Sequence, residues 1–135
     1  MGIFQIIKKL IAPYPSKGSG KNLNLQDRED IKRKWGEVEQ SLRLGSPSHF
    51  KNAVLEADKI LDHSLKLLGF GGQTMADRMK SIRRDDHERD FFDDMWQAHK
   101  LRNEMVHNMN YDVMSFEAKK AIDQFKRVLR ELGVL

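Results

Sequence analysis

Apolar residues recur at three- and four-residue intervals through most of the chain and nowhere alternate with period two, so the pattern predicts helices and no strand. Ile31, Trp35, Val38 and Leu42 predict a first long helix over Leu25–Leu44. Gly45-Ser46-Pro47 then breaks the pattern, with Ser46 placed to cap a second helix and Pro47 at its first position. Phe50, Ala53, Val54, Ala57, Ile60, Leu61, Ser64, Leu65 and Leu68 give that helix a wide apolar face ending at Gly69. Thr74 caps a short helix through Met75, Met79 and Ile82. A long central helix is expected over Asp86–Asn108, and the stretch NMNYD (108–112) breaks it. Ser115 is expected to cap a last helix, with Glu117 in its first turn and a core stripe of Ala121, Ile122, Phe125, Val128, Leu129 and Leu132. These elements predict an all-α, up-and-down bundle of four to five helices over residues 25–135.

Two segments precede the bundle. Ile3, Phe4, Ile6, Ile7, Leu10 and Ile11 share one arc of a helical wheel, with Gln5, Lys8 and Lys9 opposite, so residues 1–11 form an amphipathic segment. It suits weak, reversible contact with a membrane surface through residues 3–11, and equally packing on its own domain or on a second subunit. A secretory signal fits poorly, because Lys8-Lys9 interrupts the apolar run and no positive region precedes it. Ile6 stands where a myristoylation signal wants Ser or Thr. Residues 12–24, with two prolines, two glycines and two lysines, read as a flexible linker.

Composition narrows the chemistry. With 135 residues the chain is long enough for one domain with a real core. The absence of cysteine excludes disulfides and thiolate metal sites, and fits a reducing compartment such as the cytoplasm. The net charge of +4 suggests nucleic-acid binding until it is located. Lys8, Lys9, Lys17 and Lys21 are the only charged residues before Leu25, and the remainder carries 20 basic and 20 acidic residues. The bundle is therefore neutral, and the basic pI belongs to the tail.

Most polar clusters have an ordinary explanation. Lys32, Arg33 and Lys34 read as a solvated face, and His63 as a structural histidine beside the second helix's apolar face. Gly69-Phe70-Gly71-Gly72 lacks the Lys-Ser/Thr pair and preceding strand of a phosphate loop and reads as a turn. Asp86 or His87 with Asp90 and Asp94 has helical spacing for a metal, but no second histidine joins them, and carboxylates at a helix start complement its dipole. No metal or cofactor is expected.

Arg102 is the exception. It nearly shares the mean direction of Phe91, Phe92, Met95, Ala98, Met105, Val106 and Met109 on the central helix. A guanidinium keeps its charge at any accessible pH, and seating it unpaired in a core costs several kcal/mol, on the order of a buried ion. The stripe is therefore expected to face something polar: an anion, a partner subunit or both. Asn103 and His107 lie four residues apart at the edge of the same stripe, beside Trp96 and His99.

The string Leu101-Arg102-Asn103-Glu104-Met105-Val106-His107 resembles the R-x4–6-H signature of the HEPN superfamily, all-helical domains often found in nucleic-acid-targeting systems. The helix beginning AVLEADKILDHSLKLLG at Ala53 and the closing helix from Glu117 to Leu132 look like their family counterparts, and the resemblance covers roughly residues 48–133. It implies a homodimer whose signature helices meet in a shared polar cleft, which in active members cuts RNA without metal. By that resemblance His107 would take the proton from a ribose 2′-hydroxyl or give one to the leaving oxygen. Arg102 would hold the scissile phosphate, and Asn103 would orient His107 or the phosphate. His99 and Trp96 are candidate substrate contacts. RNA, and an antitoxin or other regulatory protein, are the implied partners of a toxin- or defence-like enzyme. Glu104 beside Asn103 and the neutral bundle depart from what RNA binding wants. The competing reading is a non-catalytic dimerisation or binding module, in which Arg102 and His107 bond across the interface or to acids such as Glu104 or Asp112.

Overall fold

The computed structural model describes residues 23–135, and among these every regular element is helical. Four long helices, α1 (Leu25–Leu44), α2 (Pro47–Leu67), α4 (Arg89–His107) and α5 (Ser115–Glu131), run up and down, with the short α3 (Met75–Lys80) between α2 and α4. The amphipathic segment and most of the linker lie outside the described residues. No helix of the described part is long and apolar enough to cross a membrane.

The caps follow from local chemistry. Asn24 Oδ1 accepts the Asp27 N–H at 2.7 Å to start α1, and Leu23 packs against the core. Ser46 accepts the His49 N–H, with Pro47 in the first turn of α2. Thr74 and Asp77 cap α3 reciprocally. Gly72 accommodates that turn: a Cβ there would lie 2.5 Å from the Asp77 Cβ, at a φ of +148°.

α2 is the hub, packed against α1, α3, α4 and α5. That is why its buried residues spread so widely, from Phe50 through Val54, Leu61 and Leu65. α5 supplies Ala121, Ile122, Phe125, Val128 and Leu129 to the same core. The first turn of α1 meets the segment after α5 where Arg28 Nη1 donates to the Gly133 carbonyl at 2.9 Å. Lys126 to Glu39 (3.1 Å) and the forked Arg127–Asp94 pair (2.9 and 3.1 Å) tie α5 to α1 and α4.

Four expectations need correction. The central helix starts at Arg89 rather than Asp86, because Arg84–Asp86 form a separate 3-10 turn and His87 is extended. His87 stacks on Phe91 at 4.0 Å and bonds Glu131 at 3.1 Å, contacts that hold it in the extended link between the 3-10 turn and α4. Ser115 is already helical. The cap position belongs to Met114, whose N–H is taken by the Glu117 carboxylate at 3.1 Å. Val106 and Met109, expected on the apolar stripe, are exposed, because they lie at the end of α4 and in the turn after it, where the described residues leave them open to solvent. His63 is exposed and lines a shallow groove with Arg33, Lys34 and Lys59.

Candidate functional site

Arg102 occupies a core position of α4, one turn beyond the buried Ala98 and His99 and one turn before the buried Met105. Its counter-ion is Asp58 of α2, which is 3 % exposed. Arg102 Nε lies 3.4 Å from Asp58 Oδ2. The other carboxylate oxygen, Oδ1, bonds His99 Nδ1 at 2.8 Å. An ionised carboxylate only accepts, so His99 Nδ1 carries the hydrogen of this bond. Arg102 Nη1 in turn donates to Asn103 Oδ1 at 3.0 Å. Asp58 thus holds two α4 side chains a turn apart, and Asn103 holds the far end of one of them.

This arrangement corrects the reason for Arg102's position. Its charge is met within its own chain by Asp58, and neither Glu104 nor Asp112 is the partner. Sequence reasoning missed Asp58, yet the signal was present. Asp58 falls four residues after Val54 and three before Leu61, inside the apolar face of α2, where a carboxylate is as irregular as the arginine opposite.

The remaining candidates divide. His99 is buried against Asp58, and its ring meets Trp96 edge-on at 6.3 Å. Trp96 is half-buried and packs on the core. Both are primarily structural in their contacts. His107, in the last turn of α4, is exposed and has no hydrogen-bond partner among the described residues. Asn103 engages Arg102 rather than His107. Arg102 has a third of its side chain exposed, with Nη2 unpartnered among the described residues. Chemically, the end of α4 presents a braced guanidinium edge and an open imidazole about two helical turns apart at most.

The surroundings are apolar and exposed. Val106 (48 %), Met109 (89 %), Met114 (55 %) and Phe116 (69 %) bracket the α4–α5 turn. Phe116 and Leu101 also line a groove of ≈ 240 Å³ with Gln97 and Lys120. Behind it, Tyr111 donates its hydroxyl to Glu117 at 2.7 Å. That bond, with burial and the nearby negative charge of Glu117 and Glu104, pushes the phenol up to about 12.

Among the described residues no group of three or more His, Asp or Glu is placed to hold a metal. Asp94 is taken by Arg127 and His87 by Glu131. No family model matches the chain, and comparison with curated proteins and with solved structures finds no match.

Proposed function

We propose that the chain is a HEPN-like, metal-independent endoribonuclease that acts as a homodimer through the Arg102 and His107 end of α4. The observation that carries this reading is the braced guanidinium. Asp58 pairs with Nε at 3.4 Å and Asn103 takes one Nη1 hydrogen, while a third of the Arg102 side chain is left to solvent on the helix whose last turn carries the exposed His107. Arginine in that state suits a phosphate, because its fork is oriented before the anion arrives.

In the proposed step His107 takes the proton from a ribose 2′-hydroxyl. The 2′-oxygen then bonds to phosphorus while the bond to the 5′-oxygen breaks, and the leaving oxygen receives a proton from the imidazolium of the partner copy. Arg102 balances the charge that grows on the phosphoryl oxygens. Single-stranded RNA incubated with the full chain in EDTA should yield 2′,3′-cyclic phosphate and 5′-hydroxyl ends. Arg102→Ala and His107→Ala should each slow this by about 10²-fold or more while the helical signal by circular dichroism is unchanged. Undiminished cutting by the His107 variant would remove the mechanism. An antitoxin or other regulatory protein would act by covering this end.

The exposed apolar side chains around the site favour a second reading, a non-catalytic dimerisation or binding module. In that case the same substitutions change the monomer–dimer balance with no cleavage to lose. Weak membrane-surface contact through residues 3–11 fits either reading. Flotation of the full chain with anionic vesicles, against a chain starting at Leu25, tests it.

A further inference from the structure

We propose that Asp58 is a positioning residue for Arg102, with His99 as the donor that sets Asp58 in place; the kinetic part of this proposal rests on the ribonuclease reading. A carboxylate at 3 % exposure in an otherwise apolar helix face is costly, since leucine there would complete the α2 face without desolvating a charge. What Asp58 supplies instead is direction. It accepts from His99 Nδ1 at 2.8 Å, so its plane is fixed from one side, and it meets Arg102 Nε at 3.4 Å on the other. Asn103 Oδ1 takes Arg102 Nη1 at 3.0 Å. An arginine arm carries about 2 kcal/mol of rotamer entropy, and these anchors remove much of it before any ligand binds.

The same carboxylate has an opposing effect. Its negative charge lies on the inner side of Arg102 and weakens the pull of the guanidinium on an approaching anion. Orientation and attraction are therefore separable. Removing the carboxylate should loosen the arm and slow the chemical step, yet leave RNA binding equal or tighter. A purely structural network would behave differently, because a well-packed apolar replacement would keep both.

The test is the double variant Asp58→Leu/His99→Leu, in which the buried polar pair becomes apolar and Arg102, already one-third exposed, can turn to water. The expected result is a melting temperature near that of the parent, a kcat for RNA cleavage in EDTA lower by at least about tenfold, and a KM unchanged or lower. Binding of a non-cleavable 2′-O-methyl RNA should be retained. A stable double variant that cuts at the parent rate overturns the proposal. Should the double variant fail to fold, Asp58→Asn, assayed where circular dichroism shows it fully folded, carries the same expectation and the same refutation. Should the parent chain cut no RNA, the ribonuclease reading fails, and positioning is read by ¹⁵N NMR instead. The Arg102 Nε–H signal, assigned by its loss in Arg102→Lys, should be sharp in the parent and broadened in the Asp58 variant. An unchanged signal overturns the proposal.

Discussion

Arg102 and Asp58 each sit within an otherwise apolar helix face, and they turn out to face one another. The arginine was legible from sequence as an irregularity. Its partner was not, because the pairing of residue 58 with residue 102 depends on how α2 and α4 are rotated and registered, which no local pattern encodes. The inference that an unpaired cation required a second copy therefore lost its premise, although a third of the Arg102 side chain remains exposed. Asp58→Ala should destabilise the fold by about 2–4 kcal/mol in urea unfolding, since it strands the buried His99 donor and half of an ion pair. Tyr111 offers an independent check at the same scale. Its phenol is held protonated up to about 12 against an ordinary 10, so the contribution of its bond to Glu117 is fully present below pH 10 and is lost as pH rises toward 12. An ultraviolet titration, with Tyr111→Phe to subtract Tyr14, should show this, and Glu117→Gln should bring the midpoint back toward 10.

The long helices were readable because each carries a sustained apolar period and a recognisable start or stop: Asn24, Ser46 with Pro47, Thr74, and glycines after α1 and α5. What failed were the junctions around α4. The pattern ran through residues 86–88 because His87 and Phe91 do pack together, but by a stacked turn rather than a helical face. At the other end the period continued to Met109 although nothing among the described residues covers it. The α4–α5 turn therefore carries exposed apolar side chains, Val106, Met109, Met114 and Phe116. Phe116→Ser and Val106→Ser remove side chains that are 69 % and 48 % exposed, so each should change unfolding free energy by less than about 1 kcal/mol. Combined, they should lower self-association measurably in sedimentation equilibrium. Loss of stability without loss of association would place the interface elsewhere.

At the scale of the whole molecule, the four-helix framework centred on α2 matches the expected up-and-down bundle, and the neutral charge of residues 25–135 means that RNA would be held by few contacts rather than by a broad basic surface. On the proposed reading, a second copy at the same end completes the site. The most direct measurement is the rate of RNA cleavage per chain in EDTA, followed across chain concentrations that span the monomer–dimer transition. Cleavage proportional to the dimer fraction, vanishing when the chain is monomeric, is the expected result. Cutting by the monomer at the same rate per chain, or a fully formed dimer that leaves RNA intact, would contradict the account.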